Sequence, residues 1–224
     1  MLAGDAFVLS FDKLKSIAIK IHDYLPGMQT ITMYASMQNI FSKTVDELKI
    51  LKTLGINYLY VGLESGDEKT LQTQDLKYTP KQALEQLKKL EEAGIGYLAA
   101  YILGAAGKGA GERNALESAK FFSQIKPDII WTMNLIVMEG TPLFDDVQNG
   151  TFVEADELEK IQEFKLFLEN LDSSSQLISA HGSNLVGVSG QLPNDKPIMI
   201  KALQKEIDMY DSNAMATKSA NRRF

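Results

Sequence analysis

Apolar and polar residues follow two periods along the chain, and these periods predict a regular succession of strands and helices. Alternation every second residue indicates strands, and apolar spacings of three and four indicate helices. The strands predicted in this way are "TITMYAS", "NYLYVGLE", "IGYLAAYILG" and "DIIWTMNLIVM". Helix boundaries are marked by Thr44 with Glu47, a capping-box pair, and by Gly94 at the end of the helix that begins with "TPKQALEQLKKL".

The order of these elements predicts an α/β fold. Strands and helices recur with a period of roughly 30 residues, which is typical of repeated βαβ units and a parallel sheet covered by helices. "LAGDA" reads as the end of a strand with little before it, so we expect the first βα unit to be missing. We assign residues 1–172 to a partial barrel and residues 173–224 to a C-terminal loop, helix and tail packed near it.

Polar side chains on one face of three predicted strands indicate how the sheet curves. Ser36, Glu64 and Asn134 each fall on the mixed face of their strand, opposite a face suited to helix packing. A flat parallel sheet between two helix layers should be apolar on both faces. We therefore predict a partial, TIM-like (β/α) barrel with outer helices, and expect these three residues to point into one cavity at the carboxyl ends of the strands.

Glu64 supports two interpretations. A carboxylate buried without a partner costs several kcal/mol, about 2–7 for a polar group alone, so in a cavity it should accept hydrogen bonds from a ligand or from fixed donors. The alternative is that Glu64 caps the next segment or faces solvent. The shared direction predicted for the polar side chains of three strands favours the cavity interpretation.

The glycine-rich stretch "LGAAGKGAGE" joins a strand to a helix. Its glycines allow positive φ angles, and exposed amides before a helix could bind an anion or a nucleobase edge. The spacing matches neither a Walker A loop nor the GxGxxG pattern. A flexible surface turn is the alternative.

Composition narrows the classes of function. The net charge of −6 and the pI of about 5.1 argue against a broad nucleic-acid surface. The sequence has no cysteine, which excludes a disulfide or thiolate metal site among these residues and is compatible with a cytoplasmic protein. His22 and His181 lack metal-ligand spacing. No stretch is typical of a secretory signal or a transmembrane helix, so we expect neither membrane nor nucleic acid as a partner.

Several segments together resemble the radical SAM superfamily, in particular its oxygen-independent coproporphyrinogen III oxidase-like subgroup. They are "LAGDA", "VGLESGDEKTL", "AGIGYLAAYILGAAGKG", "NLIVMEGTPLFDDVQNG" and "AHGSNLVGVSGQLPNDK", in this order from residue 2 to about residue 210. The resemblance implies a partial (β/α)6 barrel that binds S-adenosylmethionine (SAM). In full-length members of such a family of oxidoreductases, a [4Fe–4S] cluster cleaves SAM reductively to a radical that abstracts a substrate hydrogen.

The resemblance implies that one group of residues holds the methionine and ribose parts of SAM. Gly4 and Asp5, followed by Ala6, match the strand end that binds the methionine amino group. Glu64 and Ser65 match a polar position near the ribose.

A second group, also by resemblance, surrounds the adenine. Ile102, Gly104 and Ala105 match the strand end and turn that approach the base. Asn134 matches the strand that completes the cavity, followed by Val137 and Met138.

The chain departs from the family at the cluster ligands. The family's Cys-x3-Cys-x2-Cys segment has no counterpart, because the sequence contains no cysteine. The resemblance therefore implies a chain that cannot bind the cluster through these ligands and is inactive in radical formation by itself. Catalytic residues and the small-molecule substrate stay unassigned. Glu139 replaces an expected proline before "GTPL", and Asn114 stands where a histidine is expected.

Two other functions remain open. The chain could be a non-catalytic interaction or structural fragment, dimerising through the open barrel edge. It could also be an unrelated barrel enzyme that binds phosphate at the turn between Gly104 and Gly111.

Overall fold

One six-stranded sheet organises residues 4–210, the part of the chain that a computed structural model describes. The strands lie side by side in chain order, and β1 to β5 run parallel while β6 is antiparallel to β5. The strands are β1 Ile31–Ser36, β2 Ile56–Glu64, β3 Gly96–Leu103, β4 Ile129–Asn134, β5 Gln176–Ile178 and β6 Ser189–Gln191.

Helices connect the parallel strands, and the predicted caps form. Thr44 and Glu47 make a reciprocal capping box, and Gly94 ends its helix at φ 71°. A 3-10 turn, Ala6–Val8, precedes the first helix. The helices are α1 Phe11–Tyr24, α2 Met37–Phe41, α3 Val45–Thr53, α4 Glu68–Thr73, α5 Pro80–Ala93, α6 Gly111–Phe122, α7 Pro142–Asn149, α8 Glu157–Asn170 and α9 Lys196–Asp208. Within residues 4–210, none of them is long and apolar enough to cross a bilayer.

Strands in chain order with helical crossovers are the arrangement from which a (β/α) barrel is built. Among residues 4–210, β1 and β6 lie at the two ends of the strand order and do not pair with each other. The sheet is therefore an open, partial barrel, and the predicted fold class is confirmed.

The core lies between the sheet and the helices. On one face of the sheet the strand side chains are buried: Met33, Ala35, Leu59, Val61, Tyr97, Ala99, Tyr101 and Ile130. The opposite residues of β1, β2 and β4 are only half-buried. On β3 this side is half-buried at Gly96 and buried at Leu98, Ala100 and Ile102. We call this second side of β1 to β4 the open face.

The region after residue 172 continues the same sheet. Strands β5 and β6 follow β4 in the strand order, and Leu177 of β5 is fully buried. Sequence patterns predict loop here because three-residue strands are too short to show alternation. The predicted helix of this region is α9, which buries Leu203. The predicted tail lies outside the described residues.

Candidate functional site

The open face is defined by strand register. Ser36 pairs with Gly62, Gly62 with Ala100, and Ala100 with Trp131, so these positions point to the same side of the sheet. The open-face strand positions that this register defines are Thr32, Tyr34, Ser36, Tyr58, Tyr60, Gly62, Gly96, Leu98, Ala100, Ile102, Ile129, Trp131 and Met133, and Glu64 joins them at the end of β2. None of these strand positions is a lysine or an arginine.

The carboxylate of Glu64 lies on the open face. A bulge between Gly62 and Glu64 interrupts the pairing with β3, and Glu64 adopts φ 60°, a left-handed conformation that is uncommon for a residue other than glycine. This conformation brings Oε1 of Glu64 back over Gly62. Burial raises the pKa of Glu64, and no hydrogen-bond donor or cation among residues 4–210 opposes this rise. The structure thus leaves an acceptor at the strand end without a fixed partner.

Asp5 meets the carboxyl end of β1. Its Oδ2 accepts hydrogen bonds from the backbone N–H of Ser36 at 2.9 Å and from Nδ2 of Asn39 at 2.6 Å. Its Oδ1 is buried and finds no donor within residues 4–210. Gly4, at φ 72°, is exposed beside it. Gly4, Asp5 and Ser36, three of the predicted site residues, are therefore brought together.

A buried lysine fixes the segment that carries Asp5. Nζ of Lys43 donates to the carbonyl oxygen of Phe7 at 2.8 Å and lies 4.4 Å from the centroid of the Phe7 ring. Burial lowers the pKa of Lys43, and the charge of Asp5 opposes this shift. The hydrogen bond and the cation–π contact hold Phe7, two residues after Asp5, against the connection between α2 and α3 that carries Lys43.

Ser65 does not face the open side with Glu64. Its hydroxyl is buried in the helix layer, where it donates to Oδ1 of Asn114 at 2.5 Å and accepts from the backbone N–H of Asp67 at 2.8 Å. Asn114 belongs to α6, so this bond places Ser65 against the helices. The predicted placement of Ser65 with Glu64 in one cavity is therefore wrong.

Asn134 also lies on the wrong side for the predicted cavity. It pairs with Leu103, which is buried on the helix-covered face, and its Nδ2 donates to Oε2 of Glu157 and to the carbonyl oxygen of Ser183, both at 3.2 Å. The open face of β4 is instead formed by Trp131 and Met133. The prediction that Ser36, Glu64 and Asn134 share one direction is correct for the first two and wrong for Asn134.

The glycine-rich turn has its amides occupied by carboxylates. Glu163 accepts from the backbone N–H of Gly104 at 3.0 Å, and Glu159 accepts from that of Gly109 at 2.7 Å. Two carboxylates at these amides repel a phosphate, so the geometry disfavours the phosphate-binding alternative. The carbonyl oxygen of Ala105 is likewise taken, by Nε2 of Gln74 at 2.7 Å.

Of the three predicted adenine contacts, Ile102 lies on the open face by strand register, and its side chain is buried. It pairs with Met133, an open-face residue. Gly104 adopts φ 81°, and a β-carbon there would lie 2.9 Å from Cε of Lys160, on the α8 side. The positive φ is what requires glycine at this position.

Glu163 forms a buried network that the sequence patterns do not reveal. Its Oε1 accepts from the hydroxyl of Tyr101 at 2.8 Å and from Nδ2 of Asn114 at 2.7 Å, while Oε2 accepts from Gly104. Burial raises the pKa of Glu163 to about 7, and the three donors and Lys160 oppose that rise. The available signal is a charged residue among apolar ones in "EKIQEFKLFLEN". The network ties α8 to β3 and α6.

The two histidines have structural partners. Nε2 of His22 lies 3.0 Å from the carbonyl oxygen of Leu54. His181 contacts Trp131 edge-on, with ring centroids 5.7 Å apart, and its Nδ1 lies 2.7 Å from Oγ of Ser183. Through Trp131, His181 borders the open face, at the side of β4.

The residues present do not fit a [4Fe–4S] cluster. The sequence offers no cysteine thiolate, and residues 4–210 contain no cluster of three His, Asp or Glu side chains arranged to hold a metal ion. SAM is a different case, because two acceptors near the carboxyl ends of β1 and β2, Oδ1 of Asp5 and the carboxylate of Glu64, find no donor among residues 4–210.

No protein-family model and no curated protein matches the chain. Several solved structures match the chain. Elp3 from the archaeon Methanocaldococcus infernus, with an N-terminal deletion, has a TM-score of 0.62 at 14% identity over 92% of this chain and 53% of that one. Coproporphyrinogen III oxidase (HemN) from Escherichia coli, a radical SAM enzyme, has a TM-score of 0.57 at 16% identity over 74% of this chain and 38% of that one.

Methylornithine synthase (PylB) is also similar, with a TM-score of 0.51 at 16% identity over 72% of this chain and 44% of that one. The chain spans about half or less of the length of these three structures. At these identities the similarity is one of fold. The chain has a partial barrel fold similar to that of HemN, a radical SAM enzyme, and the resemblance in the sequence is confirmed at the level of the fold.

Proposed function

We propose that this chain is a radical SAM family protein whose open face binds SAM. The observation that carries the proposal is the carboxylate of Glu64, which lies over Gly62 on the open face and has no donor among residues 4–210. A ligand hydroxyl would supply that donor, as the ribose of SAM does. The shared fold and the order of the resembling segments support the same assignment.

Asp5 and Ser36 would hold the other end of the ligand. The buried Oδ1 of Asp5 has no donor among the described residues, and an ammonium group such as that of the methionine part of SAM would satisfy it. Ser36 and Asn39 fix the second oxygen of the same carboxylate and so orient it. Gly4, the neighbour of Asp5, is exposed, and among residues 4–210 nothing lies within 4 Å of its β-position.

Ile102 would provide the apolar contact to the adenine ring. Gly104 and Ala105 contribute shape rather than hydrogen bonds, because Glu163 and Gln74 already occupy the turn amide and carbonyl that they present. Ser65 and Asn134 are left out of the proposed site, since both point into the helix layer.

The chain's own residues would bind and orient SAM, and they offer no ligand set for the cluster. When bound in radical SAM enzymes, the cluster supplies the electron that cleaves SAM. Because the sequence has no cysteine, we propose that this chain by itself binds SAM without cleaving it. We do not propose coproporphyrinogen III as the substrate. Coproporphyrinogen III is a polycarboxylate, and the open-face strand positions carry no lysine or arginine to pair with it.

Calorimetry tests the proposal with a matched pair of variants. Wild-type protein and Glu68→Gln, which changes an exposed residue of α4, should bind SAM and S-adenosylhomocysteine equally. Glu64→Gln should weaken both ligands about tenfold, the loss expected for a hydrogen bond to a charged group. Absence of binding at millimolar ligand, or an unchanged affinity in Glu64→Gln, would overturn the proposal.

A further inference from the structure

Three tyrosine rings cover the open face of β1 and β2 on the amino-terminal side of Ser36 and Gly62. Tyr34 and Tyr60 are directly paired across the strands, with ring centroids 5.3 Å apart. Tyr58 meets Tyr60 edge-on at 5.9 Å. The rings contact one another. All three side chains are half-buried, so part of each remains accessible to solvent. We call Tyr34, Tyr58 and Tyr60 the tyrosine row.

Two carboxylates lie along the β2 side of the tyrosine row, each beside a glycine. Oδ2 of Asp128 would lie 2.6 Å from a β-carbon at Gly96, and Cδ2 of Tyr58 would lie 2.9 Å from the same point. Gly96 therefore allows the ring of Tyr58 and the carboxylate of Asp128 to converge. The carboxylate of Glu64 likewise lies over Gly62, which is two residues after Tyr60 in β2.

The electrostatics of the tyrosine row favour positive charge. No open-face strand position is a lysine or an arginine. The pKa of Tyr58 is raised to about 12, first by burial and then by the charge of Asp128 and by Tyr60, with no cation acting in the other direction. The hydroxyl oxygen of Tyr58 is buried and has no partner among the described residues. An anionic ligand would meet two carboxylates here without a counter-charge.

Aromatic faces carry negative electrostatic potential and attract cations within about 6 Å of the ring centroid, by about 0.5–2 kcal/mol per contact. A neutral apolar ligand would gain burial but nothing from Asp128 and Glu64. We infer that the tyrosine row is the substrate-binding part of the open face and takes an organic cation, such as an alkylated ammonium group. The inference rests on the proposed function, because it assigns a substrate class to the same open face that is proposed to bind SAM.

Choline and its neutral isostere 3,3-dimethylbutan-1-ol provide the test, because they differ mainly in charge. Binding is followed by NMR through the backbone amide signals of Tyr34, Tyr58 and Tyr60 on the full chain. Choline should saturate these shifts at millimolar concentration, and the isostere should bind at least about fivefold more weakly, the ratio that corresponds to about 1 kcal/mol. Equal affinity for the two probes, or shifts confined to other elements, would overturn the inference.

Two variants locate the effect. Tyr60→Leu removes the central ring and should weaken choline at least about fivefold, whereas Tyr24→Leu changes a tyrosine that is 84% exposed and should leave it unchanged. Unchanged choline affinity in folded Tyr60→Leu contradicts the inference. The isostere comparison uses wild-type protein, so a misfolded variant does not affect it.

SAM calorimetry on the same wild-type sample separates this inference from the proposed function. Discrimination between choline and its isostere without any SAM binding would sink the SAM proposal and keep the cation site. SAM binding with equal affinity for the two probes would do the reverse.

Discussion

The carboxylate of Glu64 occupies the space that a side chain at Gly62 would need. A β-carbon at position 62 would lie 2.9 Å from Oε1 of Glu64, closer than real β-carbons approach other atoms. The left-handed φ of 60° at Glu64 turns the side chain back over the strand and so creates this proximity. Gly62 leaves the space that the carboxylate of Glu64 occupies. The pair in "VGLE" therefore places an acceptor over the strand, on the open face.

Replacing Gly62 by alanine should weaken SAM binding more than it weakens the fold. The atom that the new methyl meets is the far end of a flexible side chain, which can move away, so we expect a change in unfolding free energy within about 1 kcal/mol. The displaced carboxylate would lose its position, and SAM affinity should fall about tenfold. Urea unfolding and calorimetry measure the two effects. Loss of stability with unchanged affinity would contradict the account.

Gly66 should behave in the opposite way. A β-carbon there would lie 2.5 Å from Cβ of Phe121 and 2.8 Å from Cα of Ser118, so α6 itself would have to shift. Gly66→Ala should destabilise the protein by about 1–3 kcal/mol, the usual cost of overpacking. Gly27→Ala is the control, because nothing lies within 4 Å of that position. Equal urea midpoints for the two variants would refute the packing argument.

The buried carboxyl group of Glu163 should make stability depend on pH. Its pKa is raised from 4.5 to about 7 by burial, so the folded state favours the protonated form. This contribution is complete below pH 4.5 and is lost as the pH rises through 7, amounting to about 3 kcal/mol over that window. Wild-type protein should therefore lose stability relative to Glu163→Gln between pH 5 and pH 8.

Chemical unfolding of both proteins at several pH values checks this prediction. Glu169→Gln, on the exposed end of α8, serves as the control and should track the wild type at every pH. A difference between wild type and Glu163→Gln that does not change with pH would show that Glu163 is ionised alike in the folded and unfolded states.

SAM affinity should rise with pH through the titration of Glu64. Burial raises the pKa of this group, and the proposed hydroxyl donors bind its ionised form, so protonation at low pH competes with the ligand. Calorimetry in buffers of different ionisation enthalpy should detect proton release on binding to the wild type and less release in Glu64→Gln. Identical pH profiles for the two proteins would exclude Glu64 as the titrating acceptor.

Local patterns predict the elements and the faces of β1 and β2. Thr44, Glu47 and Gly94 act within one turn of their own helix, so their roles can be predicted from the sequence. In β2 every second residue from Leu59 onward is buried, which matches the alternation predicted for that strand. The short helices α2 and α4 escape prediction because five or six residues show too little periodicity.

Long-range partners explain where the site predictions fail. Asn134 is polar yet buried against the helices, because Glu157 and Ser183 supply its hydrogen bonds from 23 and 49 residues away. Trp131 appears typical of a core residue but lies on the open face. Glu163 is buried for the same reason, with donors from β3 and α6. Nothing near these residues in the sequence signals those partners.

Residue-resolved NMR during a SAM titration tests the central claim, that the open face is the ligand site, most directly. A second candidate site is the groove of about 500 Å³ between α6, α8 and α9, lined by Gly109, Gly111 and Leu166 among others. The account predicts saturable amide shifts at Ser36, Gly62 and Ile102, with none in that groove. Shifts confined to the groove, or none anywhere at millimolar SAM, would contradict it.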